Sequence, residues 1–135
     1  MKPVQSGSNR SHKGYTLGEL MIVLVIIGIL SSIVYPSYSQ YMFETRRSDA
    51  WVALTNAAAA QERWYSVNFS FTDEVVNLGG GSSPEGFYAI SVESSSTSYR
   101  ITATAIDTKV QASDTGCTVI TLDHLGIQSP NDCWK

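Results

Sequence analysis

Residues 13–36 read KGYTLGELMIVLVIIGILSSIVYP, and this stretch decides the fold. From Tyr15 to Tyr35 it is apolar for about 20 residues, the length a helix needs to cross a bilayer. Glu19 interrupts it near the start, although an acidic side chain costs roughly 2.5–3.5 kcal/mol in hydrocarbon on the lenient insertion scale. A secretory signal would have a shorter apolar stretch and a small-residue cleavage site. Ser31 and Ser32 are small, but Ile33 and Val34 continue the run. Lys2, Arg10 and Lys13 precede it, and the next basic residue is Arg46. By the positive-inside rule the leader stays cytoplasmic and the remainder faces out.

At 135 residues the chain has room for one small domain beside this segment. About a hundred residues follow Tyr35, near the size at which one core holds itself together. The net charge of −3 conceals an asymmetry, because no acidic residue accompanies the three basic ones before Gly14. Without them, six of the nine basic residues face twelve acidic ones, a balance of −6. Such a surface repels phosphate backbones, so nucleic acid is disfavoured as a partner unless basic residues cluster. Arg46, Arg47 and Arg63 are the candidates for a cluster. Cys117 and Cys133 are the only cysteines, and a disulfide between them fits an exported domain. They enclose fifteen residues, and closing such a loop contributes roughly 3 kcal/mol.

Beyond Pro36 the stretch SYSQYMFETRRSDAWVALTNAAAAQERWYS contains neither Gly nor Pro and is rich in helix formers. Pro36 is expected to kink the helix rather than end it. Trp51, Leu54, Ala58, Gln61 and Tyr65 recur at spacings of three and four and define one face that can lie on a sheet. SVNFSFTDEVVNLGGGSSPEG reads as a surface loop. GFYAISVE, YRITATAID and CTVITLDH read as strands, and the tail LGIQSPNDCWK reads as turns.

A basic leader, Gly14, the aromatic Tyr15, and Glu19 five residues past the glycine, followed by a long apolar helix, resemble the type IV prepilin family. The order of helix, loop, strands and C-terminal cysteine pair agrees along essentially the whole chain. The closing TLDHLGIQSPNDCWK is similar to the ends of minor pilins of the PilE type. The resemblance implies an α+β type IV pilin fold, a long N-terminal helix packed on a small antiparallel β-sheet. It implies a leader, residues 1–14, cut after Gly14 by the prepilin peptidase, which then N-methylates Tyr15. Residues 15–35 become the transmembrane and filament-core half of the helix. Residues 36–135 become a periplasmic globular domain with a C-terminal disulfide loop closed by Cys117 and Cys133. Thr16 and Glu19 carry assembly, and Gly28 and Pro36 carry helix flexibility. Two positions depart from the family pattern: Tyr15 replaces the usual phenylalanine, and Gly18 stands where a larger aliphatic residue is usual.

The implied function is that of a type IVa minor pilin serving pilus biogenesis, twitching motility or adhesion. Its partners are other pilin subunits, the prepilin peptidase/N-methyltransferase and the inner-membrane assembly machinery, whose ATPase supplies the force. It sits in the inner membrane as a single pass before joining the extracellular pilus. A pseudopilin of a type II secretion system and a DNA-receptor pilin for natural transformation are the alternatives within the family.

This resemblance gives Glu19 a task. A freed α-amine has a reference pKa near 8 and is largely charged at neutral pH. Among apolar helices it needs a counter-charge, and so does Glu19, on its own chain or a neighbour's. The plainer reading is an interfacial carboxylate favoured by the helix macrodipole. Gly28 and Pro36 likewise have two readings: residues tolerated in a membrane helix, or a stretch that melts during assembly. Tyr38 and Tyr41 also match the family, and serve equally as interfacial aromatics.

Other constellations are weak. Cys117 or Cys133 with His124 lacks an orienting third residue for thiol catalysis in a membrane-anchored enzyme. Asp123, His124 and Asp132 lack metal-ligand spacing. GGGSSPEG lacks the Lys and Ser/Thr of a phosphate loop, and the NFS at Asn68 is a short pattern. No catalytic residue, metal or cofactor is expected.

Overall fold

The computed structural model describes residues 14–135; Lys2, Arg10 and Lys13 lie outside the described residues. Two compact units divide between Ser37 and Tyr38. Helix α1, Leu17–Asn68, runs for 52 residues through both Gly28 and Pro36. Pro36 supplies no N–H to the carbonyl four residues earlier. One turn of hydroxyl support lies beside it, where Ser37 Oγ donates to the Ile33 carbonyl at 3.4 Å.

In the first unit the apolar side chains from Leu17 to Val34 are exposed. The described chain gives them nothing to pack against. A helix apolar on all sides needs its burial from outside, in lipid or among other helices.

In the second unit α1 turns Ala50, Leu54, Ala57 and Ala60 inward, together with Arg47, Asp49 and Gln61. The buried stripe therefore lies about one position from the expected face. Leu54 and Gln61 are buried, Trp51 and Ala58 are half-buried, and Tyr65 is exposed. The run Ala57–Ala60 offers no hydropathy contrast to fix the rotation. Arg47 and Asp49 are buried because distant residues pair with them, which no local period encodes.

The sheet is an antiparallel meander of order β1-β2-β3-β4: Tyr88–Ser94, Tyr99–Ala105, Val119–Asp123 and Gln128–Ser129. The second and third lie within the expected segments, and the first runs one residue past its own, to Ser94. The fourth falls in the tail expected to form turns; its two residues pair with Thr121 and Leu122, too short a run to show a period. Alternation puts Tyr88, Ile90, Tyr99, Ile101, Ala103, Ile120 and Leu122 in the core, on the side facing α1. Burying a side chain such as Leu54, Ile101 or Ile120 contributes about 1.5–3 kcal/mol each. The opposite sheet face carries Ser91, Thr102, Thr121 and Ser129 in one cross-strand row.

The segment between α1 and β1 is more than a surface loop. It contains a 3₁₀ turn, Val75–Leu78, closed by Gly79 at φ 110°, and it buries Thr72, Leu78 and Ser83. Ser82 bridges to Ala89, so this segment covers part of the β1 edge. Two further 3₁₀ turns, Val110–Ser113 and Asn131–Trp134, complete the architecture.

Candidate functional site

Gly14, Tyr15 and Thr16 precede the helix and are exposed. At the helix start Thr16 and Glu19 form a reciprocal cap. Glu19 Oε2 accepts from the Thr16 backbone N–H at 2.8 Å and from its hydroxyl at 2.9 Å. The Glu19 N–H donates to Thr16 Oγ1 at 3.2 Å. This capping box satisfies amide donors that the first helical turn leaves without a partner. Its signal, T-x-x-E ahead of an apolar run, is readable from residues 16–19. The Tyr15 nitrogen is here part of a peptide bond, and the carboxylate is engaged by Thr16. Gly18 lies within the first turn, and a Cβ there would meet nothing within 4 Å.

The second unit is held by three buried polar side chains of α1. Arg47 donates to both Asp114 oxygens, Nε to Oδ2 and Nη2 to Oδ1, each at 2.7 Å. Gln111 Nε2 donates to the same carboxylate at 2.7 Å and to the Phe43 carbonyl at 3.3 Å. The Asp114 hydrogen bonds hold the Arg47 guanidinium above its ordinary pKa. Asp49 accepts from the Ser83 hydroxyl and from the N–H groups of Glu85 and Phe87. Gln61 grips the Thr72 backbone at both ends, accepting its N–H at 3.0 Å and donating to its carbonyl at 2.6 Å. Burial pushes the Tyr88 phenol up to about 12, as burial and neighbouring Glu62 do for Tyr99. Both are therefore neutral near pH 7.

Cys117 and Cys133 are joined in a disulfide with Cα atoms 5.6 Å apart. Neither sulfur is a free thiol, so the thiol-site reading fails in this state. Trp51 Nε1 donates to the Cys133 carbonyl at 2.8 Å, and the Trp51 and Trp134 rings stack at 6.2 Å. The C-terminal turn is thus tied by sulfur to the residues just ahead of β3 and to α1 by indoles. The His124 ring lies edge-on to Tyr99. Asp123 is committed to its own turn, accepting from the N–H groups of Leu125 and Ile127 at 2.9 Å each. Among the described residues no group of three His, Cys, Asp or Glu side chains could hold a metal ion. The three arginines do not form a free basic cluster. Arg47 is buried against Asp114, Arg46 lies over the Phe87 ring at 5.3 Å, and Arg63 is exposed.

A family profile described as type IV minor pilin ComP, DNA uptake sequence receptor, matches residues 36–121. The chain is a type IV pilin. A second profile, the prokaryotic N-terminal methylation motif, matches the pilin over residues 9–35. The pilin is 34% identical over 100 residues to the fimbrial protein EcpC of Eikenella corrodens, covering 73% of this chain and 65% of the relative. It is 31% identical over 103 residues to the type IV major pilin PilA of Myxococcus xanthus, covering 76% of this chain and 43% of the relative. The chain therefore spans about half the length of the curated relatives it matches. A solved type IV pilin from Shewanella oneidensis superimposes with a TM-score of 0.54 at 26% identity, covering 69% of this chain and 98% of that one. Its likeness and the sheet topology agree: one long helix on a four-stranded antiparallel sheet is the pilin fold.

Proposed function

We propose that this pilin is a minor structural subunit of a type IV pilus, with no catalytic role and no cofactor. The single observation that carries the proposal is the helix start, an apolar α1 left exposed by its own chain with one capped carboxylate, Glu19, inside the run. The prepilin peptidase cuts after Gly14 and methylates Tyr15. The segment from Tyr15 to Tyr35 holds the subunit in the inner membrane with the remainder periplasmic. It then passes into a filament core among other pilins, moved by the inner-membrane assembly machinery. Gly28 and Pro36 allow α1 to loosen locally on that passage. Filament helices and lipid tails are similarly apolar, so one surface serves both environments. The fimbrial relatives and the minor-pilin profile support a pilus over a type II secretion machine; motility and adhesion are the tasks such a filament serves.

Glu19→Val tests the helix start. Membrane insertion is expected to stay intact or improve, since a costly group is removed. Recovery in sheared filaments is expected to fall well over tenfold, because the buried amine of Tyr15 loses its counter-charge. Parental levels in sheared filaments would refute the pairing role.

The profile description favours a second reading, DNA reception. The balance of −6 without the leader residues and the commitment of Arg47 to Asp114 work against it. A gel-shift assay with double-stranded DNA at two salt concentrations separates the two. The structural reading expects no shift at either salt, whereas a shift that weakens steeply with salt would establish the receptor.

A further inference from the structure

Where β1 turns into β2 the outward face of the sheet is hollow. A cavity of about 290 Å³ opens there to solvent, and Glu93, Ser94, Arg100, Asp123 and His124 help to line it. The strand register dictates its charge pattern, because Arg100 stands directly between Glu93 on β1 and Asp123 on β3. Residues opposed in this way have Cβ atoms about 4.5–5.5 Å apart, so the three strands set out a row of minus, plus and minus. Yet the row does not neutralise itself. Among the described residues the ion pairs are Arg47 with Asp114 and Asp132 with Lys135, and neither Glu93 nor Asp123 pairs with Arg100. The chain fixes the rim by its own bonds. Ser95 Oγ accepts the N–H groups of Thr97 and Ser98, and the His124 N–H donates to the Tyr99 carbonyl at 3.1 Å. Asp123 commits Oδ1 to its own turn and keeps Oδ2 for another donor.

We propose that this hollow binds a free dibasic α-amino acid of the lysine or ornithine type. A guanidinium receives a carboxylate through paired N–H donors, and Arg100 has no protein carboxylate in that position. The Ser94 hydroxyl adds a donor beside it. The flanking carboxylates, Glu93 and Asp123, take the α-ammonium and the side-chain ammonium. Charge decides between ligands. Two carboxylates against one guanidinium repel an acidic amino acid and leave a neutral one a contact short. A lysine at either end of a peptide has lost one of its three charges, which favours the free amino acid over a peptide. Binding needs only the folded second unit, so it holds whether or not the chain enters a filament.

Calorimetric titration of the full-length chain in detergent with L-lysine tests the site. One saturable site per chain is expected, with a Kd of about 1 mM or tighter. L-Lysinamide lacks the carboxylate and Nα-acetyl-L-lysine lacks the α-ammonium charge; each is expected to bind about tenfold more weakly or worse. L-Glutamate is expected not to bind. Arg100→Gln is expected to weaken lysine binding about tenfold or more while melting, without ligand, at the parental temperature. Failure of lysine to saturate a site would overturn the proposal, as would parental affinity in Arg100→Gln. Equal binding of lysinamide would assign the hollow to amines in general, and equal binding of glutamate to anions; either result overturns it too. If Arg100→Gln melts lower than the parent, Glu93→Gln decides: weakened lysine binding at the parental melting temperature supports the site, and parental affinity removes it.

Discussion

Arg47→Ala is expected to destabilise the folded unit by about 3–5 kcal/mol, the usual consequence of leaving a buried charge without its partner. The Asp114 carboxylate lies buried on the 3₁₀ turn side of the molecule and receives two of its short bonds from this one guanidinium. The substitution leaves Gln111 as its remaining side-chain donor, and an amide cannot offset a full charge. Set against a typical domain stability of about 5–15 kcal/mol, such a loss takes a large share of the total. Urea unfolding of the full-length chain in detergent measures it. Replacing both partners by apolar residues of similar size, Arg47→Met with Asp114→Leu, is expected to recover most of the loss, since the desolvation of both charges disappears together. A single variant within about 1 kcal/mol of the parent would show that water reaches the pair and that it is no anchor.

Gly14→Leu is expected to leave the precursor uncut, with complete loss of the processed form, while the fold is unaffected. A Cβ at Gly14 would meet nothing within 4 Å, and the residue stands outside the helix. The chain therefore accepts the larger side chain, and any effect falls on recognition by the peptidase. The parental protein should begin at Tyr15 and carry the mass of one added methyl group, as N-terminal sequencing and intact-mass measurement would show. An N-terminus at Ser31 or beyond would indicate ordinary secretion and remove the basis for the pilus reading.

Helix, sheet and family were legible in the sequence because each leaves a signal that survives without context. The apolar run is long enough to cross a membrane, the strands alternate, and the basic leader with Gly14, Tyr15 and Glu19 is a rare combination. The inward face of α1 was less legible. The expected face included Trp51 and Tyr65, yet the structure buries Arg47 and Asp49 beside the expected Gln61. Each buried polar group is satisfied by a residue between 11 and 67 positions away. Partners at that separation exist only once the chain has folded. Strand β4 and the left-handed Phe69, at φ 55° just past the end of α1, were hidden for a similar reason: two paired residues show no period, and a phenylalanine carries no sign of positive φ.

Asp49 and Gln61 take hold of the connecting segments chiefly by their main chain: the N–H groups of Glu85 and Phe87, and both backbone groups of Thr72. A grip on the backbone is indifferent to the side chains that the backbone carries. Residues 73, 74, 76 and 85, all exposed, are thus free to change charge and size while the helix keeps the segment in place. The molecule separates what must be inherited unchanged from what can drift. A few helix positions act as the template, and the outward chemistry between Asn68 and Phe87 can be rewritten by selection without refolding the subunit.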